Sequence, residues 1–283
     1  MEGIGSMTSE GGGTMAELAS SARRASHGQA VSGLARFGLA ARAFVYIVIG
    51  WLAIQIARGH GSHEANQRGA VSDIAQHSYG VALLWLLGLG FAAYAIWRLS
   101  EAAFGTAAEG KKAGPRAQSL VRGIIYAGFA VTTFSFIAGS SKKGQSQQQE
   151  TLTARVMRHG YGRWLVGLVG LIVVVVGLGM IVEGILKKFE KQLQMQDLTG
   201  RTRTVVVWLG VIGTTARGIV VGIVGVLVVD AAITFNSHKS TGLDGALRTL
   251  ADRPFGPWLL GALAVGLIVF GLYGFAAARW AKT

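Results

Sequence analysis

Long apolar runs separated by short polar segments occupy most of the chain. Residues 165–182 contain no charged side chain, and residues 258–278 are likewise apolar and rich in glycine. Each run is long enough for one crossing, because a helix needs about 20 apolar residues to span the hydrocarbon core of a bilayer. The pattern predicts six spans, at approximately 35–57, 79–100, 118–139, 162–186, 205–235 and 256–279. We therefore expect an all-α integral membrane protein with six transmembrane helices.

Composition agrees with a membrane protein and excludes thiol chemistry. Hydrophobic residues make up 51% of the chain and charged residues only 14%, whereas an average soluble domain has about 25% charged residues. The chain has no cysteine, which excludes disulfides, thiolate metal sites and cysteine nucleophiles. Residues 1–34 are rich in Gly, Ser and Ala without an apolar signal-peptide core, and we expect them to form a disordered cytoplasmic tail.

The distribution of positive charge predicts the orientation. The formal net charge of +13 fits either a nucleic-acid partner or the topology of a membrane protein. Six spans place 17 of the 27 Lys and Arg residues on the side of the two termini and 10 on the other side. Because positive residues are retained in the cytoplasm, we expect a multi-pass protein of the cell membrane with both termini cytoplasmic and no nucleic-acid partner.

One helical hairpin occurs three times along the chain. A basic residue opens the first helix of each pair, in residues 42–46 (RAFVY), 122–126 (RGIIY) and 217–221 (RGIVV). An aromatic–glycine pair follows 37 to 39 residues later and opens the second helix, at Tyr79-Gly80, Tyr161-Gly162 and Phe255-Gly256. We predict hairpin repeats at 35–105, 114–189 and 204–280, related by a pseudo-threefold axis along the membrane normal, unlike the inverted repeats of many transporters.

The repeated helix opening and residues 242–256 (GLDGALRTLADRPFG) resemble the signature of a bacterial membrane family, the domain-of-unknown-function family numbered 1206. The resemblance covers about residues 35–280 and departs from the pattern at Val221, where the other two repeats have tyrosine. It implies three tandem two-helix units. It carries over no activity, ligand or catalytic residue.

Charged residues near the span ends form a first tier. Arg42, Arg122 and Arg217 lie near the predicted cytoplasmic ends of the odd-numbered spans. Glu101 and Glu183 each lie 22 residues after the aromatic residue that opens their helix, a rise of about 33 Å that returns them to the same side. We predict ion pairs Arg42–Glu101 and Arg122–Glu183, which lock the hairpins together; the alternative is a proton or ion relay.

A second, polar tier lies thirteen residues further along the odd-numbered spans, at Gln55, Ser135 and Asp230. Thirteen residues rise about 20 Å, which places the tier in the outer half of the bilayer. If the three positions converge on the axis, they form a polar cluster in which Asp230 is the candidate for ion or proton transport. The alternative is an interhelical hydrogen bond or a contact with the outer interface.

A third, basic tier consists of His77, His159 and Arg253, each two residues before an aromatic–glycine pair. Contact with lipid phosphate is the simpler interpretation of these interfacial positions. A pH-responsive outer surface is the alternative, since histidine titrates between pH 5 and 8.

Nothing in the sequence identifies a catalytic, cofactor or metal site. His60, His63 and Glu64 form at most a weak metal site, and no histidine lies in the middle of a predicted span, so a haem between helices is not expected. The sequence contains no nucleophile-elbow, phosphate-loop or zinc-protease motif. We expect a protein that is not an enzyme and has no cofactor.

Two connecting segments are polar. We expect residues 187–197 to continue the fourth span as a helix beside the headgroups. We expect residues 142–150, with their four glutamines, to form a flexible spacer.

Two hypotheses about function remain. The favoured one is a non-catalytic scaffold or accessory subunit of a membrane complex, with the bilayer, other membrane proteins or a second copy as partners. Glycine faces such as Gly218-x-x-x-Gly222 serve either packing within the bundle or such association. The alternative is a small ion, proton or solute transport protein that uses the Asp230 tier. Proline occurs only at positions 115, 254 and 257, all at span ends, so the broken helices of many transporters are not predicted.

Overall fold

Helices dominate the computed structural model, which describes residues 10–60, 63–105, 113–139, 145–159, 161–236 and 242–281, with side chains from residue 32 onward. These residues form nine α-helices: α1 (Glu10–Ala57), α2 (Gln67–Ala75), α3 (Gly80–Phe104), α4 (Ala113–Ile137), α5 (Gln145–Met157), α6 (Gly162–Ile185), α7 (Gly200–Thr234), α8 (Gly242–Ala251) and α9 (Gly256–Trp280). Six are long and apolar enough to cross a membrane: α1 from Ser32 onward, α3, α4, α6, α7 and α9. The predicted fold class, with six transmembrane helices, is confirmed.

Each repeat consists of a long helix, a short helix, a tight turn and a second long helix. The short helices α2, α5 and α8 lie together at one end of the bundle, which we call the loop face. The opposite end, the terminal face, contains the beginning of α4 and the end of α9. All three hairpins therefore run in the same direction.

The aromatic–glycine pairs form the turn between each short helix and the long helix that follows. The amide nitrogens of Gly80, Gly162 and Gly256 donate to the carbonyl oxygens three residues earlier, at 2.8, 2.8 and 2.7 Å. A side chain at any of these glycines would overlap a carbonyl oxygen of the preceding short helix. Only glycine permits this close approach of backbone to backbone, which accounts for its repetition.

The helices form an open ring. Their order around the bundle is α4, α3, α1, α9, α7 and α6, since each packs extensively on the next. The two helices of the second repeat, α4 and α6, stand at the ends of this order and do not pack extensively on each other over their described lengths. They are also the least buried spans: 22% and 17% of their most apolar segments are buried, against 56% for α1. The ring is therefore open between α4 and α6.

Small residues explain why the first and third hairpins close and the second does not. Two contacts bring the backbones together in each closed hairpin: Gly38 with Tyr94 and Ala41 with Gly90, then Gly213 with Phe270 and Ala216 with Gly266. In the second repeat, the positions that carry glycine or alanine in the other two have larger side chains, namely Gln118, Val121 and Ile172, and Val176 stands where the others have Tyr94 and Phe270. Because membrane helices approach closely over small residues, α4 and α6 lack a surface on which to close.

Glycines also form the interfaces between repeats. A Cβ at Gly177 of α6 would lie 2.6 Å from the backbone nitrogen of Gly222 and 2.9 Å from the carbonyl oxygen of Gly218, both on α7. A Cβ at Gly50 of α1 would lie 2.8 Å from the carbonyl oxygen of Ala264 on α9. Gly218 therefore packs within the bundle, because a Cβ there would lie 2.9 Å from the carbonyl oxygen of Gly177, whereas a Cβ at Gly222 would meet nothing within 4 Å.

Three segments differ from their predictions. α1 begins at Glu10, so residues 10–34 of the predicted disordered tail are helical, in keeping with the helix propensity of alanine; residues 1–9 lie outside the described residues. α6 ends at Ile185, because Lys187 adopts a left-handed conformation with φ 54°, and short 3-10 helices at Lys188–Gln192 and Met195–Asp197 replace the predicted extension. Residues 145–150 of the predicted spacer belong to α5, and residues 142–144 lie outside the described part.

Candidate functional site

The arginines of the three repeats lie close together inside the bundle. Arg122 is within electrostatic range of Arg42 and Arg217, and also of Arg98 on α3. We call these four residues the arginine cluster. Each repeat contributes its helix-opening arginine, so the three repeats meet at this cluster.

The cluster lies within the membrane-spanning segment and not at its edge. Arg42 lies 15 residues before the end of α1 and Arg122 lies 15 residues before the end of α4, which places both about 22 Å from the loop-face ends of their helices. Arg217 lies 17 residues before the end of α7, or about 26 Å. The three arginines therefore lie far from the loop face, in the part of their helices nearer the terminal face.

Aromatic side chains hold three of the four guanidiniums. The buried hydroxyl of Tyr94 accepts hydrogen bonds from Arg42 Nη1 and Arg98 Nε, both at 3.0 Å. The ring of Phe270 lies between Arg42 and Arg217, with guanidinium carbons 5.2 and 5.0 Å from its centre. Arg217 also lies 5.4 Å from the ring centre of Tyr46. These are cation–π contacts, which stabilise a guanidinium most where it is desolvated.

Positive charge exceeds negative charge in the cluster. Glu101 accepts from Arg98 Nη1 at 2.6 Å and from Ser119 at 3.0 Å, and the side chains of Arg98 and Glu101 are each only 10% exposed. Within the described part of the chain, Glu101 is the only carboxylate that hydrogen-bonds or ion-pairs with the cluster. The Nε atom of Arg217 is buried and has no hydrogen-bond partner among the described residues.

The two predicted ion pairs are wrong. Arg42 pairs with Tyr94, which lies 14 residues into α3, whereas Glu101 lies 21 residues in, about 10 Å closer to the terminal face. The prediction placed the arginine at the end of its span, but the apolar helix continues beyond it. Glu183 likewise accepts from Gln192 at 3.4 Å, and no ion pair joins it to Arg122 among the described residues.

The second predicted tier lies at the loop-face ends of the helices. Gln55, Ser135 and Asp230 fall in the last two turns of α1, α4 and α7, and each is partly exposed. None of them lines either of the two cavities described below. They therefore lie near the helix ends and not in the middle of the spans.

The third predicted tier belongs to the tight turns. The side chains of His77, His159 and Arg253 are exposed, while their carbonyl oxygens accept the glycine hydrogen bonds of the turns. The Nδ1 atoms of both histidines lie 3.1 Å from the carbonyl oxygen four residues earlier. These three residues therefore stabilise the turns through their backbone carbonyl groups.

An open cavity of about 540 Å³ adjoins the arginine cluster. Its wall contains Arg217 and Tyr46 at one end and Gln145 and Gln149 of α5 at the other. Apolar residues of α6, α7 and α9 line the space between: Leu165, Val166, Val169, Val220, Val221, Val224, Val228 and Leu267. One wall position is Val221, where the other repeats have the space-filling Tyr46 and Tyr126, so the departure of the third repeat from the pattern leaves room beside Arg217.

Hydrogen bonds between repeats join the connecting segments at the loop face. Glu64 of the first repeat accepts from the amide nitrogen of Gln145 in the second at 2.9 Å. The buried carboxylate of Asp244 in the third repeat accepts from the amide nitrogen of Ala65 at 2.8 Å and from Arg248 at 2.9 Å. These contacts use Glu64, a residue of the weak metal-site prediction, and no group of three or more potential ligands lies together in the described part of the chain.

A second space, the terminal cleft, separates α4 from α6 at the terminal face. Its volume is about 420 Å³, and it is lined by residues of both helices and of the first 3-10 helix: Gly114, Pro115, Gln118, Gly179, Glu183, Lys188, Lys191 and Gln192. Lys188 and Lys191 are exposed. The open hairpin, formed by α4 and α6, is therefore lined by polar and basic residues at the terminal face.

Sequence reasoning missed Arg98, Tyr94 and Phe270, which complete the cluster. Arg98 stands three residues before Glu101, a spacing that puts both on one helix face, so their pairing was visible in the sequence. Tyr94 and Phe270 occupy the same position of their repeats, fifteen residues after the aromatic of the turn. Their contacts with arginines of neighbouring helices depend on the tertiary arrangement.

Comparison with known proteins agrees with the threefold repetition. The family model named Domain of Unknown Function (DUF1206) matches residues 37–105, 117–187 and 212–281, one match for each repeat. An uncharacterized protein of Bacillus subtilis (strain 168), YxxB, is 30% identical over 241 residues, which is 84% of this chain and 86% of that protein. No solved structure matches the chain. The chain belongs to the DUF1206 family, a family of unknown function.

Proposed function

We propose that this protein is a non-catalytic membrane protein, acting as a scaffold or accessory subunit, whose interior holds an anionic ligand at the arginine cluster. The observation that carries the proposal is the excess of guanidinium groups over carboxylates at membrane depth. A buried charge requires a partner of opposite sign, and ionisable residues within spans are the first candidates for function.

Approximate free energies show which arginines have enough favourable contacts to offset the cost of burying their charge. An arginine at the centre of a transmembrane helix costs about 2.5–3.5 kcal/mol on insertion scales, and a desolvated cation–π contact returns up to about 2 kcal/mol. For Arg42, the contacts with two aromatic rings and the Tyr94 hydroxyl roughly offset this cost. Arg122 has no hydrogen bond or ion pair among the described residues, and Arg217 retains a buried Nε without an acceptor. An anion between these two supplies the missing partner.

The transport alternative has less support than ligand binding. It rested on a passage lined by Gln55, Ser135 and Asp230, and the cavity is lined by other residues. Hydrogen bonds also join the connecting segments of the repeats at the loop face. The cell-membrane location with cytoplasmic termini is part of the proposal and is supported by the 17 to 10 division of basic residues.

The test measures how a short-chain alkyl phosphate shifts the thermal unfolding of the purified protein in a neutral detergent. A ligand at 100 times its Kd stabilises the folded state by about 2.7 kcal/mol, so a saturable rise in Tm is expected. The rise should disappear in the double variant Arg122→Gln/Arg217→Gln. The control is Arg201→Gln/Arg203→Gln, at two exposed positions of α7. Equal shifts in all three proteins, or none in the wild type, would contradict the proposal.

A further inference from the structure

We infer that the anionic ligand is a membrane lipid, which reaches the arginine cluster sideways through the open hairpin of the second repeat. This inference rests on the proposed function and names the ligand class and the route. Its headgroup binds Arg122 and Arg217, and one hydrocarbon chain lies in the open cavity beside Arg217. The lipid comes from the leaflet at the terminal face.

The shape of the cavity fits a hydrocarbon chain. Along α7 the wall runs from Arg217 to Val228, eleven residues that rise about 16 Å. One leaflet of the hydrocarbon core is about 15 Å thick, half of the roughly 30 Å core. The wall between these residues is made of valine and leucine side chains. The apolar wall beyond Arg217 therefore matches the length of the hydrocarbon chain of a lipid whose anionic headgroup binds Arg217.

The open hairpin supplies the route. Val121, Ile172 and Val176 mark the surfaces that close the other two hairpins, and here they are 56%, 53% and 50% exposed. The cavity residues Leu165 and Val169 on α6 are also about half exposed, so the cavity is accessible along the same helix. A lipid chain can pass between α4 and α6 without leaving an apolar environment.

Charge identifies the lipid as anionic and its leaflet as that of the terminal face. Lys188 and Lys191 line the terminal cleft, where the headgroup region meets the open hairpin, and Glu183 is the carboxylate among the lining residues. The guanidiniums lie deeper along the same opening. Basic residues at both levels favour a phosphate or carboxylate headgroup over a zwitterionic one. A phospholipid and a fatty acid share this chemistry, and the experiment separates them.

The experiment counts bound lipid by native mass spectrometry after exchange from nanodiscs, using phosphatidylglycerol, phosphatidylcholine and oleate as probes. Wild-type protein should retain phosphatidylglycerol or oleate about tenfold better than phosphatidylcholine, and the preferred anion identifies the source. Val221→Tyr introduces the tyrosine of the other repeats and should abolish retention by filling the cavity. Val226→Tyr, at an exposed position of the same helix, is the matched control and should retain lipid as the wild type does.

The route is tested with a crosslink across the terminal cleft. Gln118→Cys/Gly179→Cys places two thiols on opposite walls of a protein without other cysteines. Bridging delipidated protein with a cleavable bis-maleimide should prevent uptake of phosphatidylglycerol, and cleavage of the linker should restore it. Uptake that is unchanged by the crosslink overturns the lateral route. Retention unaffected by Val221→Tyr, or equal for anionic and zwitterionic lipid, overturns the lipid assignment. In each case the alkyl-phosphate response of the arginine variants still decides the proposed function separately.

Discussion

Replacing Glu101 by glutamine removes the carboxylate that partners the arginine cluster in the described part of the chain. The change keeps the size of the side chain but replaces the carboxylate 2.6 Å from the buried Arg98 by a neutral amide, which leaves the guanidinium charge uncompensated. Breaking a buried ion pair on one side costs about 3–5 kcal/mol. Arg98 keeps the Tyr94 hydroxyl at 3.0 Å and the Trp97 ring at 4.1 Å, so we expect a loss near 3 kcal/mol.

A double-mutant cycle tests whether this loss belongs to the pair with Arg98. The free energy of unfolding is measured by denaturant titration in mixed micelles for Glu101→Gln, Arg98→Gln, Arg42→Gln and the two double variants. Groups in one hydrogen-bonded network couple by 0.5–3 kcal/mol, whereas independent sites add within about 0.5 kcal/mol. We expect a coupling of about 2 kcal/mol with Arg98 and near-additivity with Arg42. A loss below about 1 kcal/mol, or equal coupling with both arginines, would refute the assignment of Glu101 to Arg98.

Three further predictions concern the packing, the polar tier and the orientation. Gly177→Val should lower the free energy of unfolding by about 1–3 kcal/mol, the usual cost of overpacking, because its Cβ meets the backbone of α7; Gly179→Val, with open space around it, is the control, and equal losses would contradict the packing described. Asp230→Asn should leave alkyl-phosphate binding unchanged and produce no change in proton flux in proteoliposomes; flux that the substitution abolishes would restore the transport hypothesis. Lys191→Cys should be shielded from an impermeant maleimide in intact cells and Ser78→Cys labelled, since the terminal face is expected in the cytoplasm; the reverse pattern would invert the topology.

The repeats and the helices were predictable because their signals are local. Apolar runs without charge leave few alternatives to a membrane helix, and the aromatic–glycine turn reads as a repeated motif because only glycine fits at Gly80, Gly162 and Gly256. The depth of Arg42 was misjudged because the position of a residue along an apolar run does not reveal where the run meets the interface. The helix break at Lys187 depends on a backbone conformation that lysine rarely adopts.

The open hairpin and the cavity could be predicted from the sequence only in part. Comparison of the repeats already shows Gln118, Val121 and Ile172 in place of glycine and alanine, but their meaning requires knowing that those positions face each other in the closed hairpins. Val221 was visible as a departure from the repeat. That it leaves space beside Arg217, and not at the lipid surface, follows only from the packing of α7 against α6 and α9.

The most direct test of the account is an experimental structure of the protein in nanodiscs that contain phosphatidylglycerol. The account predicts a ring open between α4 and α6, with elongated density along the α7 valines and a headgroup within hydrogen-bonding distance of Arg122 or Arg217. A closed second hairpin, with the cavity filled by side chains and Arg217 paired to a carboxylate of the protein, would contradict it.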